Sequence, residues 1–87
     1  MFRAQFVQTA RKRCGHVGSV VDQDLAAAAS ELHCLSGEAS MLDFGKVSDL
    51  ATVAEEAARS GDAKRVRVLL GEIVLAVDAV EKRRERA

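Results

Sequence analysis

Four side chains in this sequence combine nucleophilic with metal-binding chemistry, and they fall in two tight pairs. Cys14 and His16 flank Gly15, and His33 stands beside Cys34. A structural zinc takes four such ligands at spacings of the type C-x₂₋₄-C with H-x₃₋₅-H. Neither pair has that spacing, and adjacent helical residues point about 100° apart, too far to grip one ion. No metal site is expected. Nothing marks either thiol as activated, so both cysteines are read as small buried or half-exposed residues. What remains is imidazole chemistry. A histidine nucleophile needs its ring outside the core, room for a partner, and a neutral nitrogen. An ordinary imidazole, with a pKa of about 6.5, has that nitrogen near pH 7.

On a helical wheel of about 100° per residue, the apolar stripe around His33 centres between Leu32, Leu35 and Ala39. His33 falls about 120° away, on the flank. Gly37 and Ser40, four and seven residues on, line up beneath it, and Phe44 follows at the next turn. An imidazole thus stands over a surface kept bare by small side chains. A mid-helix glycine costs about 1 kcal/mol, and close approach by something outside the helix is a reason to keep one there. Two competing readings stand beside this one: an ordinary surface histidine, and small residues that let two helices cross tightly. Phe44 is expected in the core or at the bundle end rather than against a partner.

The elements that position this face are helices. The chain has 87 residues, 48% hydrophobic and 30% charged, with fifteen alanines, three phenylalanines as its only aromatics, and no proline. That length corresponds to one small domain, residues 1–87. The composition favours helix nearly throughout. A first segment from about Phe2 to Val21 carries Phe2, Phe6, Ala10, Val17 and Val21 as a stripe; Gly15 and Gly18 either weaken it or break it near Gly15–Ser19. A second runs from near Asp24 to near Gly45, with Leu25, Ala28, Leu32, Leu35, Ala39 and Leu42 at helical spacing. A third spans about Lys46 to Arg59 through Val47, Leu50, Ala51 and Ala54. Ser60-Gly61-Asp62 is a stop followed by a cap. The fourth continues to about Arg84 on Val66, Leu69, Leu70, Ile73, Val77 and Val80. Asp22, Asp24 and Asp62 are the candidate N-caps. Short connections make neighbours antiparallel, so the expectation is all-α, an antiparallel up-down four-helix bundle with a thin, alanine-rich core.

Several function classes are excluded. A formal net charge of zero argues against nucleic acid as the main partner. No apolar run approaches the roughly 18 residues of a membrane span, and Met1–Phe6 lacks the apolar stretch of a secretory signal. Two cysteines are too few for a disulfide framework, so a reduced, cytoplasmic setting is expected. Acidic residues dominate from Asp22 to Glu56 and basic ones elsewhere, read as solvated helix faces. Val68 and Leu75 lie off the fourth stripe, with Val74 beside them; a wide core face is favoured over a dimer contact, and a monomer over a homodimer. The tail Lys82-Arg83-Arg84-Glu85-Arg86 is read as a solvated terminus.

The segment His33-Cys34-Leu35-Ser36-Gly37-Glu38-Ala39-Ser40-Met41-Leu42-Asp43-Phe44 resembles the core motif of histidine-containing phosphotransfer (HPt) domains. There a histidine is followed by leucine at +2, lysine at +3, glycine at +4 and small residues beyond. Asp24 stands where the family's pre-helix aspartate falls, and Leu50 to Asp62 reads like its next helix and Gly-Asp turn. The likeness covers about Phe6 to Val80.

The resemblance implies a phosphoryl carrier in a two-component phosphorelay, with His33 taking a phosphoryl group from one receiver aspartate and passing it to another. It also implies a receiver domain or hybrid histidine kinase as partner. The receiver would supply Mg²⁺, so the chain needs no cofactor of its own, and it shows no P-loop or kinase signature. Ser36, Gly37 and Ser40 would border the docking partner, on the exposed side of the second and first helices. One departure matters: the family's +3 lysine is Ser36, and Glu38 at +5 adds negative charge. Lys46 or a basic residue of another helix is left to compensate. The same departure motivates the alternative, an HPt-like docking module that regulates a receiver or kinase without carrying phosphate.

Overall fold

The computed structural model describes the backbone of residues 2–86 and the side chains of residues 4–82. Four helices follow one another: α1 (Phe2–Val20), α2 (Leu25–Met41), α3 (Gly45–Arg59) and α4 (Ala63–Arg86). α1 packs on α2 and α4, and α3 packs on the same two helices, so α2 and α4 stand at diagonal corners of an all-α bundle. The expected stripes form its core. Phe6, Ala10 and Val17 are buried on α1 and Val21 just after it, Ala28, Leu32, Leu35 and Ala39 on α2, and Val66, Ile73, Val77 and Val80 on α4. Val7, Cys14 and Ala76 are buried as well, which the stripes omitted. Phe2 and Arg83–Arg86, assigned to a stripe and a solvated tail, lie outside the described side chains.

α1 runs unbroken through Gly15 and Gly18 to Val20. Tertiary packing outweighs the glycine cost, because Ala10, Cys14 and Val17 keep the helix seated. α2 ends at Met41, short of the expected Gly45. Asp43 takes a left-handed φ of 63°, with Phe44 N–H donating to the Ala39 carbonyl at 2.8 Å and Asp43 N–H to the Ser40 carbonyl at 3.2 Å. This is a Schellman stop made on aspartate instead of glycine. α3 ends the same way on Gly61 (φ 84°), with Asp62 N–H bonded to the Ala57 carbonyl at 2.9 Å. Asp24 and Asp62 act as N-caps, accepting from the backbone N–H groups of Ala27 and Arg65, each at 3.0 Å. Asp22 instead pairs with Arg67 across the bundle. Phe44 packs its ring 4.9 Å from that of Phe6, closing the bundle end as expected.

Two further expectations are corrected. The charges are more than solvated faces: Arg11 reaches Asp78 and Glu81, and Arg13 reaches Glu31 and Glu38, tying helices together. Val68 and Leu75 are no part of a wide core; they are 63% and 69% exposed.

Candidate functional site

His33 stands in the middle of α2 with its side chain 73% exposed. Its Nδ1 lies 3.3 Å from Glu55 Oε1, so the ring leans toward α3 rather than toward α1, where the docking side had been expected. A carboxylate only accepts, so Nδ1–H donates and the lone pair is left on Nε2. Nε2 has no hydrogen-bond partner among the described residues. Glu55 is held in turn. Arg59, one turn along α3, donates from Nε at 2.9 Å and Nη2 at 2.8 Å, both to Oε2. One carboxylate oxygen thus serves the imidazole and the other the guanidinium. Arg59 places a cation near the ring although the +3 position is serine.

Ser36 faces α3. Thr52 donates its hydroxyl proton to the Ser48 carbonyl at 2.9 Å, which leaves Ser36 to donate to Thr52 Oγ1 at 2.8 Å. The serine therefore stitches α2 to α3 beside the histidine, half-buried. Gly37 and Ser40 are exposed, and a Cβ at Gly37 would meet nothing within 4 Å. They do not serve a tight helix crossing; they leave the outer surface of α2 flat. Cys34 is exposed beside them, whereas burial pushes the Cys14 thiol above its ordinary pKa.

Glu38 does not load negative charge onto this surface. It turns to the α1 side, where Arg13 Nε and Nη2 grip its two oxygens at 2.9 Å each. Arg13 Nη1 also reaches Glu31 Oε1 at 2.8 Å, and Glu31 Oε2 lies 2.7 Å from His16 Nδ1. Bonding to Glu38 raises the Arg13 pKa further above its ordinary value, so this cation stays charged.

Glu55, Arg59 and Thr52 were absent from the expected site. The Glu55/Arg59 spacing of four is readable as a helical ion pair, but its meeting with His33 is a product of packing between helices. Met41, two turns beyond His33, is 86% exposed and adds a large apolar side chain near this face. Among the described residues no three His, Cys, Asp or Glu side chains converge as a metal site, and no helix is long and apolar enough to cross a membrane.

An accessible histidine on the second of four helices, over glycine and serine, is joined by a decisive comparison. The Hpt domain model matches residues 1–83. The chain belongs to the Hpt domain family. Hpt domains are phosphotransfer modules of two-component signalling and interact with receiver domains and histidine kinases. No curated protein and no solved structure matches the chain.

Proposed function

We propose that this Hpt domain is a cytoplasmic phosphorelay carrier that shuttles a phosphoryl group between receiver aspartates through His33. The observation carrying this reading is the ring's arrangement: Nδ1 is engaged by Glu55 and Nε2 is open, on a helix face flattened by Gly37 and Ser40. The Nε2 lone pair attacks the phosphorus of a receiver aspartyl phosphate. A new N–P bond forms, the acyl O–P bond breaks, and its electron pair returns to the aspartate as a free carboxylate. The Nδ1 proton stays on the ring, and the positive charge that the imidazole gains faces the Glu55 carboxylate. Transfer onward is the reverse of these steps on a second receiver.

The Mg²⁺ that neutralises the moving phosphoryl group belongs to the receiver, and this chain contributes position. Gly37 and Ser40 let the partner approach the ring, with Ser36 at the α3 border and Met41 as an apolar contact beyond. Arg59 supplies the positive charge that the family's lysine would bring.

The docking-only alternative draws on the same residues, since Ser36 replaces the lysine and a carboxylate sits 3.3 Å from the acceptor ring. One experiment separates the two. Receiver domains charged with radiolabelled acetyl phosphate are mixed with wild type and His33→Gln. Acid-labile label on the wild type alone is the expected result. Receiver binding without label on the wild type would establish the docking module instead, and label retained in His33→Gln would move the acceptor elsewhere.

A further inference from the structure

α4 turns Val66, Ile73 and Val77 into the core and exposes a second apolar line on its outer face. Lys64, Val68, Gly71 and Leu75 follow one another at steps of four, three and four, the spacing of a coiled-coil seam. Val68 and Leu75 are 63% and 69% exposed, and Val74 beside them is 39% exposed. Gly71 is exposed in mid-helix, and a Cβ there would meet nothing within 4 Å, so nothing inside the bundle explains it. A shallow hollow bordered by Asp62, Lys64, Arg65 and Val68 lies on the same face.

The flanking charges point to the occupant. Arg65 and Glu72 are both exposed and neither has an ion-pair partner among the described residues, although the arginines 11, 13, 59 and 67 are all paired. Seven residues apart on one helix, Arg65 and Glu72 are about 10 Å from each other along the axis and do not meet. An antiparallel second copy, with its two-fold axis between Leu69 and Leu70, puts Arg65 on the same flank as the partner's Glu72, about 3 Å away along the axis and within reach of two long side chains, and Glu72 likewise beside the partner's Arg65. The same register lays Val68 on the partner's Gly71, where the missing side chain admits close approach. It also places Leu75 at the partner's Lys64, in the hollow. Apolar line, glycine, hollow and charge pairs fit in one register.

We infer that the outer face of α4 is a homodimer interface, formed by two antiparallel α4 helices about a two-fold axis. α4 lies diagonally across the bundle from α2, so the dimer leaves both copies of His33 open on opposite outer sides. One helix pair makes a small interface, and the dimer is weak, half-dissociated at roughly 10–100 µM.

The test is sedimentation equilibrium of the whole chain from about 5 to 500 µM at low and high salt, a range set by that affinity. The wild-type mass is expected to rise toward twice the monomer, less steeply at high salt. Leu75→Ser stays monomeric. Arg65→Glu weakens association by about tenfold or more, and adding Glu72→Arg restores it. All these positions are exposed, and thermal melts check that the bundle is retained. A wild type that is monomeric throughout would overturn the interface, as would a dimer insensitive to Leu75→Ser or to the charge swap.

Discussion

The chain contains the same histidine–glutamate pair twice, once on each side of α2. On the α1 side His16 Nδ1 lies 2.7 Å from Glu31, and on the α3 side His33 Nδ1 lies 3.3 Å from Glu55. Both rings are open to solvent, 51% and 73% exposed. Each ring meets one carboxylate oxygen through Nδ1. Their surroundings differ. Glu31 is shared with Arg13, which also grips Glu38, so the His16 pair closes a network that fastens α1 to α2. A turn before and a turn after His16 stand Lys12 and Val20. A turn after His33 stands only Gly37, with Ser40 beyond it. A polarised imidazole is thus common in this bundle, while a level approach to one is found at His33. On the proposed function, the partner's access is what sets His33 apart from His16.

The largest effect is expected from exchanging the two rings for glutamine separately. His33→Gln is expected to abolish phosphotransfer, and His16→Gln to leave it within about twofold, because the latter loses only an exposed pair. Next in size is bulk on the approach. Gly37→Gln is expected to weaken receiver binding by about tenfold or more in calorimetric titration. It should also raise the Tm slightly, since helix propensity improves and the new side chain enters open space. The equivalent change beside the other histidine, Gly15→Gln, should raise the Tm without altering binding. Equal binding losses at the two glycines would end the distinction between the two sides.

Smaller effects sharpen it. Glu55→Ala removes the acceptor that fixes the Nδ1 proton, and transfer is expected to slow by about tenfold with receiver affinity kept. Glu55→Gln, whose amide oxygen still accepts from Nδ1–H, should recover much of that rate in quenched-flow measurements. The smallest effect concerns the cysteines. Burial raises the Cys14 pKa in the folded state, so above the ordinary thiol range the unfolded chain has lost a proton that the folded chain keeps. Stability is therefore present below that range and falls as pH rises through it. Urea midpoints should decline at alkaline pH in the wild type and less so in Cys14→Ala.

The four helices were legible because the apolar positions keep helical spacing and aspartates mark two of the starts. His33, Gly37 and Ser40 were legible as a face for the same reason: all three lie on one helix. Ser36, expected at the border of the docking face, also bonds Thr52 across the helix pair, a contact that spacing along α2 does not reveal. The early end of α2 escaped notice because an aspartate, Asp43, takes the left-handed position usually given to glycine. Glu38 was misassigned for a tertiary reason, since its neutralising partner Arg13 lies 25 residues away on another helix. Glu55 and Arg59 were missed on the same ground. Spacing along one helix reports which side chains share a face, and it says nothing of what the next helix brings to that face.

The most direct test of the central claim is a long-range ¹H–¹⁵N spectrum of the histidine rings before and after phosphotransfer from a charged receiver. His33 is expected to start with its proton on Nδ1 and to acquire phosphorus on Nε2, with His16 unchanged. Phosphorus on His16, or on Nδ1 of His33, would contradict it.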